Sequence, residues 1–387
     1  MGEYQHNRTA WPHFTWDERA LLAPLCRVHR RLGVLMERLS SLGAEVRQEA
    51  ELSGLTDEAV HSSAIEGEHL SAEEVRSSLA RRLGVSDAPA KAGARREDGV
   101  AFVTADATLN AATPLTEMRL FDWHRHLFEG SGAAFPLGQW RTSEMEVVSG
   151  PVGRQRVHYR APEAARVPSE MAAFLGWFNS GADTARGFGG PSVSEPITKA
   201  AIAHLWFVSV HPFDDGNGRI ARAVADLALA RLESGEARYL GMSARIRHDR
   251  DAYYRILEST QSGDSLDVSE WMLWFVAELS VAVEDALSAL SRAVFAASFW
   301  ARAAAVGLNE RQKRIAALLL DGFEGKLTSG KYAKIAKCSP DTAARDLAQM
   351  VERGLLARSE AGGRSTSYRL AQEPSHHAAD TDRPTAP

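Results

Sequence analysis

His211-Pro-Phe-Asp-Asp-Gly-Asn-Gly-Arg219, followed by Arg222, lies between two apolar stretches, Ile197–Val210 and the segment that begins at Gly218. Apolar runs of that length read as helices, so the nonapeptide is a glycine-rich turn entering a helix. Such a turn presents backbone N–H groups and the positive end of a helix dipole, which suits anionic phosphate. Arg219 and Arg222, three apart on one helix face, can both reach a polyphosphate. Asp215 offers a hard oxygen for Mg²⁺, and His211 can take a proton near neutral pH. Together these residues describe a phosphoryl- or nucleotidyl-transfer site; a polar turn joining two core helices would not need all of them. His204, with no third ligand nearby in sequence, reads as a core histidine rather than a zinc ligand.

Outward from this segment the periodicity is helical. Apolar residues from Trp11 through Leu42 predict one long amphipathic helix, Thr56 caps a second that runs through Ile65, and Ser71-Ala-Glu-Glu opens a third in capping-box style. After an aperiodic connection over residues 83–100, helices are expected at Gly99–Leu109, Thr116–Phe128, Pro168–Asn179, Ile197–Val210, Gly218–Ser234, Asp251–Gln261 and Ser269–Leu290. Arg141–Pro162 differs: two short β-rich runs flank Gly150-Pro-Val-Gly153, which predicts a hairpin in a mainly α protein.

Composition bounds the rest. With 387 residues, 44% hydrophobic and 25% charged, the chain can bury a core and is not disordered throughout. Its net charge of -5 does not mark the whole molecule as a polyanion binder, but residues 308–370 hold twelve Lys+Arg against seven Asp+Glu. The division expected is an N-terminal helical region over 1–98, a catalytic domain over 99–300, a small domain over 301–370 and a disordered tail over 371–387. Cys26 and Cys338 cannot build a disulfide framework, no apolar window is long enough for a membrane span, and the N-terminus lacks a signal-peptide pattern, so a cytoplasmic protein is expected.

The segment resembles the signature of the Fic (filamentation induced by cAMP) family, His-Pro-Phe-x-(Asp/Glu)-Gly-Asn-Gly-Arg-x-x-Arg, at every position. The resemblance runs from about residue 56 to 280, and the opening helix is similar to an N-terminal region of many bacterial members. It implies a helical Fic fold with a β-hairpin flap and a protein adenylyltransferase that moves AMP from ATP to a Ser, Thr or Tyr hydroxyl of a target protein. His211 would be the base, Asp215 the Mg²⁺ ligand, Gly216, Asn217 and Gly218 the phosphate cradle, and Arg219 and Arg222 the grip on the outer phosphates. Val147 or Val148 of the flap would clamp the target by strand addition, and Tyr254 would touch the nucleotide. Gln261 stands where several members have Asn near the base. Ser62-Ser-Ala-Ile-Glu66-Gly67 resembles the family's inhibitory motif (Ser/Thr)-x-x-x-Glu-(Gly/Asn), so Glu66 would pair with Arg222 and restrain transfer.

The basic segment resembles a winged helix-turn-helix: Ser339–Arg353 would be the recognition helix, and Arg358, Arg364 and Arg369 would lie on or near the wing, with Arg345 and Arg364 as candidate DNA contacts. A protein-interaction module, one that forms a homodimer included, is the alternative. Two further functions stand beside adenylyl transfer: removal of AMP from a modified protein, with Glu66 positioning water, and DNA-binding regulation with the Fic domain as a nucleotide sensor.

Overall fold

The structure, a computed structural model, describes residues 4–86, 95–151, 154–181, 195–232, 239–359 and 366–371. Arg364 and the expected tail beyond Ala371 lie outside the described residues. The chain divides into two compact units, Met1–Ala286 and Leu287–Pro387, so residues 1–98 and the segment that follows belong to one unit.

The helices of the first unit are α1 (Glu18–Ser40), α2 (Ala44–Ile65), α3 (Ala72–Arg82), α4 (Arg95–Leu109), α5 (Glu117–Phe128), α6 (Val167–Asn179), α7 (Pro196–Val210), α8 (Asn217–Leu229), α9 (Met242–His248) and α10 (Arg250–Gln261). A hairpin of β1 (Glu146–Ser149) and β2 (Arg156–Arg160) separates α5 from α6. A last helix, α11 (Ser269–Val306), runs past the division between the units and well beyond its expected end at Leu290.

The apolar character of Ile197–Val210 explains the centre. Every residue of that stretch except Lys199 is buried, and a helix apolar all round must be covered on all sides. Alongside it lies α8, against which α2, α4 and α5 pack, while α6 covers α7. Trp206 of α7 carries an aromatic cluster, with Trp177 at 5.2 Å, Phe174 at 5.5 Å and Trp11 at 6.3 Å between ring centroids.

Two expectations at the N-terminus need correction. Residues 11–16 are not helical: the first helix starts at Glu18, where the Asp17 carboxylate accepts the N–H groups of Arg19 and Ala20. Trp11 and Phe14 gave the segment a helical apolar pattern because both pack against Trp206, not because they share a helix face. Nor does α2 begin at Thr56; it begins at Ala44 and passes through Gly54 unbroken. Thr56 turns its hydroxyl back to the Leu52 carbonyl at 2.6 Å, a bond that satisfies a buried threonine inside a helix. Ser71 does cap α3 by accepting from Glu74 N–H, but its own N–H goes to Glu97, so the reciprocal half of the box is supplied from α4.

In the second unit, α12 (Glu310–Leu320), α13 (Ser329–Ala336) and α14 (Pro340–Glu352) precede an antiparallel pair, β3 (Leu356–Arg358) and β4 (Tyr368–Leu370). Asn309 and Gln312 form a full capping box at α12, and Thr328 and Ser339 cap the next two helices. Ile315, Tyr332, Leu347, Met350, Leu356 and Leu370 share its core. Buried among them, Asp346 accepts from Tyr332 Oη at 2.9 Å, Arg311 Nε at 3.0 Å and Asn309 Nδ2 at 3.1 Å, so one carboxylate ties the three helices together. Asp346→Ala strands the Tyr332 hydroxyl and should destabilise this unit by about 2–3 kcal/mol. Hydrogen exchange of α12–α14 amides in the full chain measures this, and unchanged protection would show that the network is dispensable.

Candidate active site

The chain leaves α7 at His211 in the left-handed conformation, φ 51° and ψ 59°. A non-glycine residue there costs about 1–2 kcal/mol, and the surroundings hold it in place. Arg141, itself 2% exposed, donates through Nε to the His211 carbonyl at 2.8 Å and through Nη2 to the Val210 carbonyl at 3.4 Å. The same guanidinium donates to Ser143 O at 2.8 Å and Pro162 O at 2.5 Å, on either side of the hairpin. One buried arginine therefore pins both feet of the flap to the end of α7.

His211 Nδ1 lies 3.1 Å from the Val208 carbonyl oxygen. A carbonyl only accepts, so Nδ1 carries the proton and Nε2 of the neutral ring keeps its lone pair. Burial holds the imidazole below the ordinary histidine range, against the Val208 bond, which favours the charged ring. The neutral, accepting form thus prevails at neutral pH.

The turn that follows is clasped by Asn217, whose Oδ1 accepts from Phe213 N–H at 2.9 Å and whose Nδ2 donates to Phe213 O at 2.8 Å. Gly216, at φ 81°, caps α8 without a side chain; a Cβ there would also lie 2.9 Å from the Phe128 ring. Gly216 N–H goes to the Asp215 carboxylate at 2.6 Å, the Asn217 side chain holds the loop, and the first turn of α8 has no side-chain cap on its backbone N–H groups.

Opposite that turn stands the end of α2. Gly67, at φ 83°, lets its own N–H reach Ala64 O and the Glu68 N–H reach Ser63 O, both at 3.1 Å, which is a Schellman cap. The cap turns Glu66 and Glu68 toward α8. Arg222, 2% exposed, donates to Glu66 Oε1 at 2.8 Å, to Ser62 Oγ at 2.9 Å and to the Ser62 carbonyl at 2.8 Å. Arg219, 4% exposed, donates to Glu68 Oε2 at 2.9 Å and lies over the Phe128 ring at 4.8 Å. A Cβ on Gly218 would run into the Glu66 carboxylate, so that carboxylate sits at the mouth of α8. Burial pushes the Glu66 carboxyl up, but Arg222 outweighs it and holds the group below the usual range, ionised at neutral pH.

Of the two tyrosines on α10, Tyr253 is core: it hydrogen-bonds His204 at 2.9 Å, and burial lowers the pKa of that histidine to about 3. Tyr254 is partly exposed, under Arg250 and 3.5 Å from Glu66 Oε2. Gln261 is buried and donates to Ser209 Oγ at 3.0 Å. On the flap, Val147 is half-buried opposite Tyr159, whereas Val148 is exposed opposite Val157, and the register shifts between them. Asp215 is exposed, and no three His, Cys, Asp or Glu side chains converge among the described residues. A lone carboxylate oxygen suits Mg²⁺, which takes one or two carboxylates and completes its shell with water and substrate phosphates.

Beneath the arginines a small cavity of about 10 Å³ is lined by Glu58, Asp226, Ser62 and Arg219 among others. Glu58 accepts from the Ser243 hydroxyl and from Ser243 N–H at 2.9 Å. Burial pushes both acids up, and the Glu58 charge raises Asp226 further, so Asp226 holds the proton of the pair.

The Fic/DOC family matches residues 114–229, and the family described as "Domain of unknown function (DUF4172)" matches residues 4–85. The chain carries a Fic/DOC family domain. "Protein adenylyltransferase Fic" of Nematostella vectensis is 26% identical over 53% of this chain and 43% of its own length. "Uridine 5'-monophosphate transferase" of Xanthomonas campestris pv. campestris (strain 8004) is 31% identical over 34% of this chain and 24% of its own. The chain thus spans less than half the length of the curated relatives it matches. A Fic family protein of Desulfovibrio desulfuricans G20, known as a crystal structure, shares the fold with a TM-score of 0.54 at 21% identity, over 94% of this chain and all of that one.

Sequence reading missed Arg141, Glu68, Glu58 and Asp226. Each acts through a partner about 70 to 185 residues away, and only for Glu68, two residues beyond Glu66, was there a local signal. Because the folded chain keeps a proton on Asp226 that the unfolded chain releases, stability falls as pH rises from the aspartate range through the folded value. Asp226→Asn should flatten that fall, as thermal melts between about pH 5 and pH 8 would show; an unaltered slope would place the proton elsewhere.

Proposed function

We propose that this protein is a nucleotidyltransferase that moves AMP from ATP to a protein hydroxyl, and that Glu66 holds it in check. The observation that carries the reading is the meeting at one helix N-terminus of an accepting His211 Nε2, two buried arginines and a carboxylate seated where phosphate would bind. In transfer, the target hydroxyl oxygen attacks the α-phosphorus, its proton passes to His211 Nε2, and the bond to the β-phosphate breaks to release pyrophosphate. The backbone N–H groups of α8 hold the phosphates, Arg222 and Arg219 grip their outer end, and Asn217 and Arg141 keep the loop and the base in register. Asp215 would hold Mg²⁺, which when bound would offset phosphate charge. The flap receives a segment of the target against β1 by strand addition.

Glu66→Gly leaves Arg222 anchored by Ser62 and opens the mouth of α8. With labelled ATP and Mg²⁺, this variant should label itself or a protein of a host lysate well above wild type, and Glu66→Gly with His211→Ala should bind ATP yet transfer nothing. Equal labelling by wild type and Glu66→Gly would reduce Glu66 to a helix-end carboxylate. The same pair of proteins, given an AMP-modified target, tests the removal reading: Glu66 Oε2 faces the open side near Tyr254, where it can orient a water, so removal must be lost with Glu66. Because Gln261 is spent on Ser209, base selection rests on few groups, and UTP belongs beside ATP as a donor in the assay.

For the second unit we propose a winged helix-turn-helix that binds DNA. Lys331, Lys334 and Lys337 lie exposed on α13 and at its end, and Arg345 is exposed on α14, where the neighbouring exposed residues include Asp341 and Glu352. The lysines suit phosphate better than bases. Replacing all three by alanine should lower the slope of log K against log salt by about 0.9 for each DNA phosphate that these lysines neutralise. A stable dimer with no DNA binding at low salt would favour the interaction module instead.

A further inference from the structure

We propose that Glu68 is a second restraining carboxylate, holding Arg219 out of the nucleotide site as Glu66 holds Arg222, so that the site opens in two steps. This rests on the transfer reading above. The Schellman cap at Gly67 reverses the chain between the two glutamates and delivers both to the same face of α8, where Arg219 and Arg222 are neighbours three residues apart. Among the described residues, Arg219 pairs with Glu68 and Arg222 with Glu66. A polyphosphate spanning the mouth of α8 competes with both carboxylates, and removing Glu66 frees only one arginine.

The arrangement also shows where Glu68 goes. Arg96 of α4, 48% exposed, lies 3.5 Å from the same Glu68 oxygen that accepts from Arg219. When phosphate takes Arg219, Glu68 keeps a cationic partner by moving onto Arg96, and no carboxylate is left beside the bound anion. Arg219 stays oriented meanwhile by the Phe128 ring beneath it. A carboxylate merely capping the helix end would need no buried arginine partner.

The test is nucleotide binding by the full chain in a His211→Ala background, which prevents turnover, with Glu68→Gln, Glu66→Gly and the double variant. Glu68→Gln should tighten ATP binding about tenfold in the Glu66→Gly background, and leave AMP binding unchanged, because Arg219 meets only the outer phosphates. Its melting temperature should stay near that of the parent, so that a folding effect is separated from a charge effect. If Glu66→Gly tightens ATP binding but Glu68→Gln adds nothing, or weakens it, Glu68 is no restraint and instead holds Arg219 ready for the nucleotide. If no variant binds ATP or UTP, the transfer reading falls and the second restraint falls with it.

Discussion

A guanidinium buried to 2% exposure must be paired, and Arg222 of α8 meets that demand with Ser62 and Glu66 at the end of α2. Much of the first unit follows from this. To bring Ser62 and Glu66 to Arg222, α2 must run alongside α8 and stop there, and Gly67 supplies the stop. The same approach carries Glu58, two turns before Glu66, into one cavity lining with Asp226, whose carboxyl is pushed up by burial and by the Glu58 charge. The same pairing joins residues 4–85 to residues 114–229, which are matched by separate families and lie in one compact unit.

The geometry of the His211 turn depends on a second buried arginine. Among the described residues Arg141 donates to four carbonyl oxygens and to no carboxylate. Carbonyls at the end of α7 carry the negative end of its dipole, so a cation is well placed there. By joining them to Ser143 and Pro162, Arg141 makes the orientation of His211 and the footing of the flap a single structural fact. Glu258 fastens the outer part of the flap to α10, accepting from His158 at 2.8 Å and Arg156 at 2.6 Å.

Legibility in the sequence followed the range of the interactions. The turn from His211 to Arg219, the hairpin and most helix starts are local: caps such as Thr116, Ser71 and Ser339 act on N–H groups three residues on. Local signals also misled. Gly54 and Thr56 look like a helix break and a cap, yet α2 runs through both because burial against its neighbours outweighs the propensity of two residues. Trp11 and Phe14 imitate a helical face while serving an aromatic cluster. Asn217 shows another limit: residue type suggested a donor, but only the fold shows that its amide also clasps the turn through Phe213. Arg141 and the buried acid pair left no local trace.

The central claim is that Glu66 occupies, on Arg222, the place of the outer phosphate. A crystal structure of the Glu66→Gly chain soaked with a non-hydrolysable ATP and Mg²⁺ addresses it most directly. The account predicts the outer phosphates on Arg222 and the first turn of α8, with the α-phosphorus facing the flap where a hydroxyl oxygen hydrogen-bonded to His211 Nε2 would lie at attack distance, about 3–3.5 Å. A nucleotide seated with its triphosphate away from Arg222, or bound in the same pose in wild type with the Glu66–Arg222 pair intact, would contradict it.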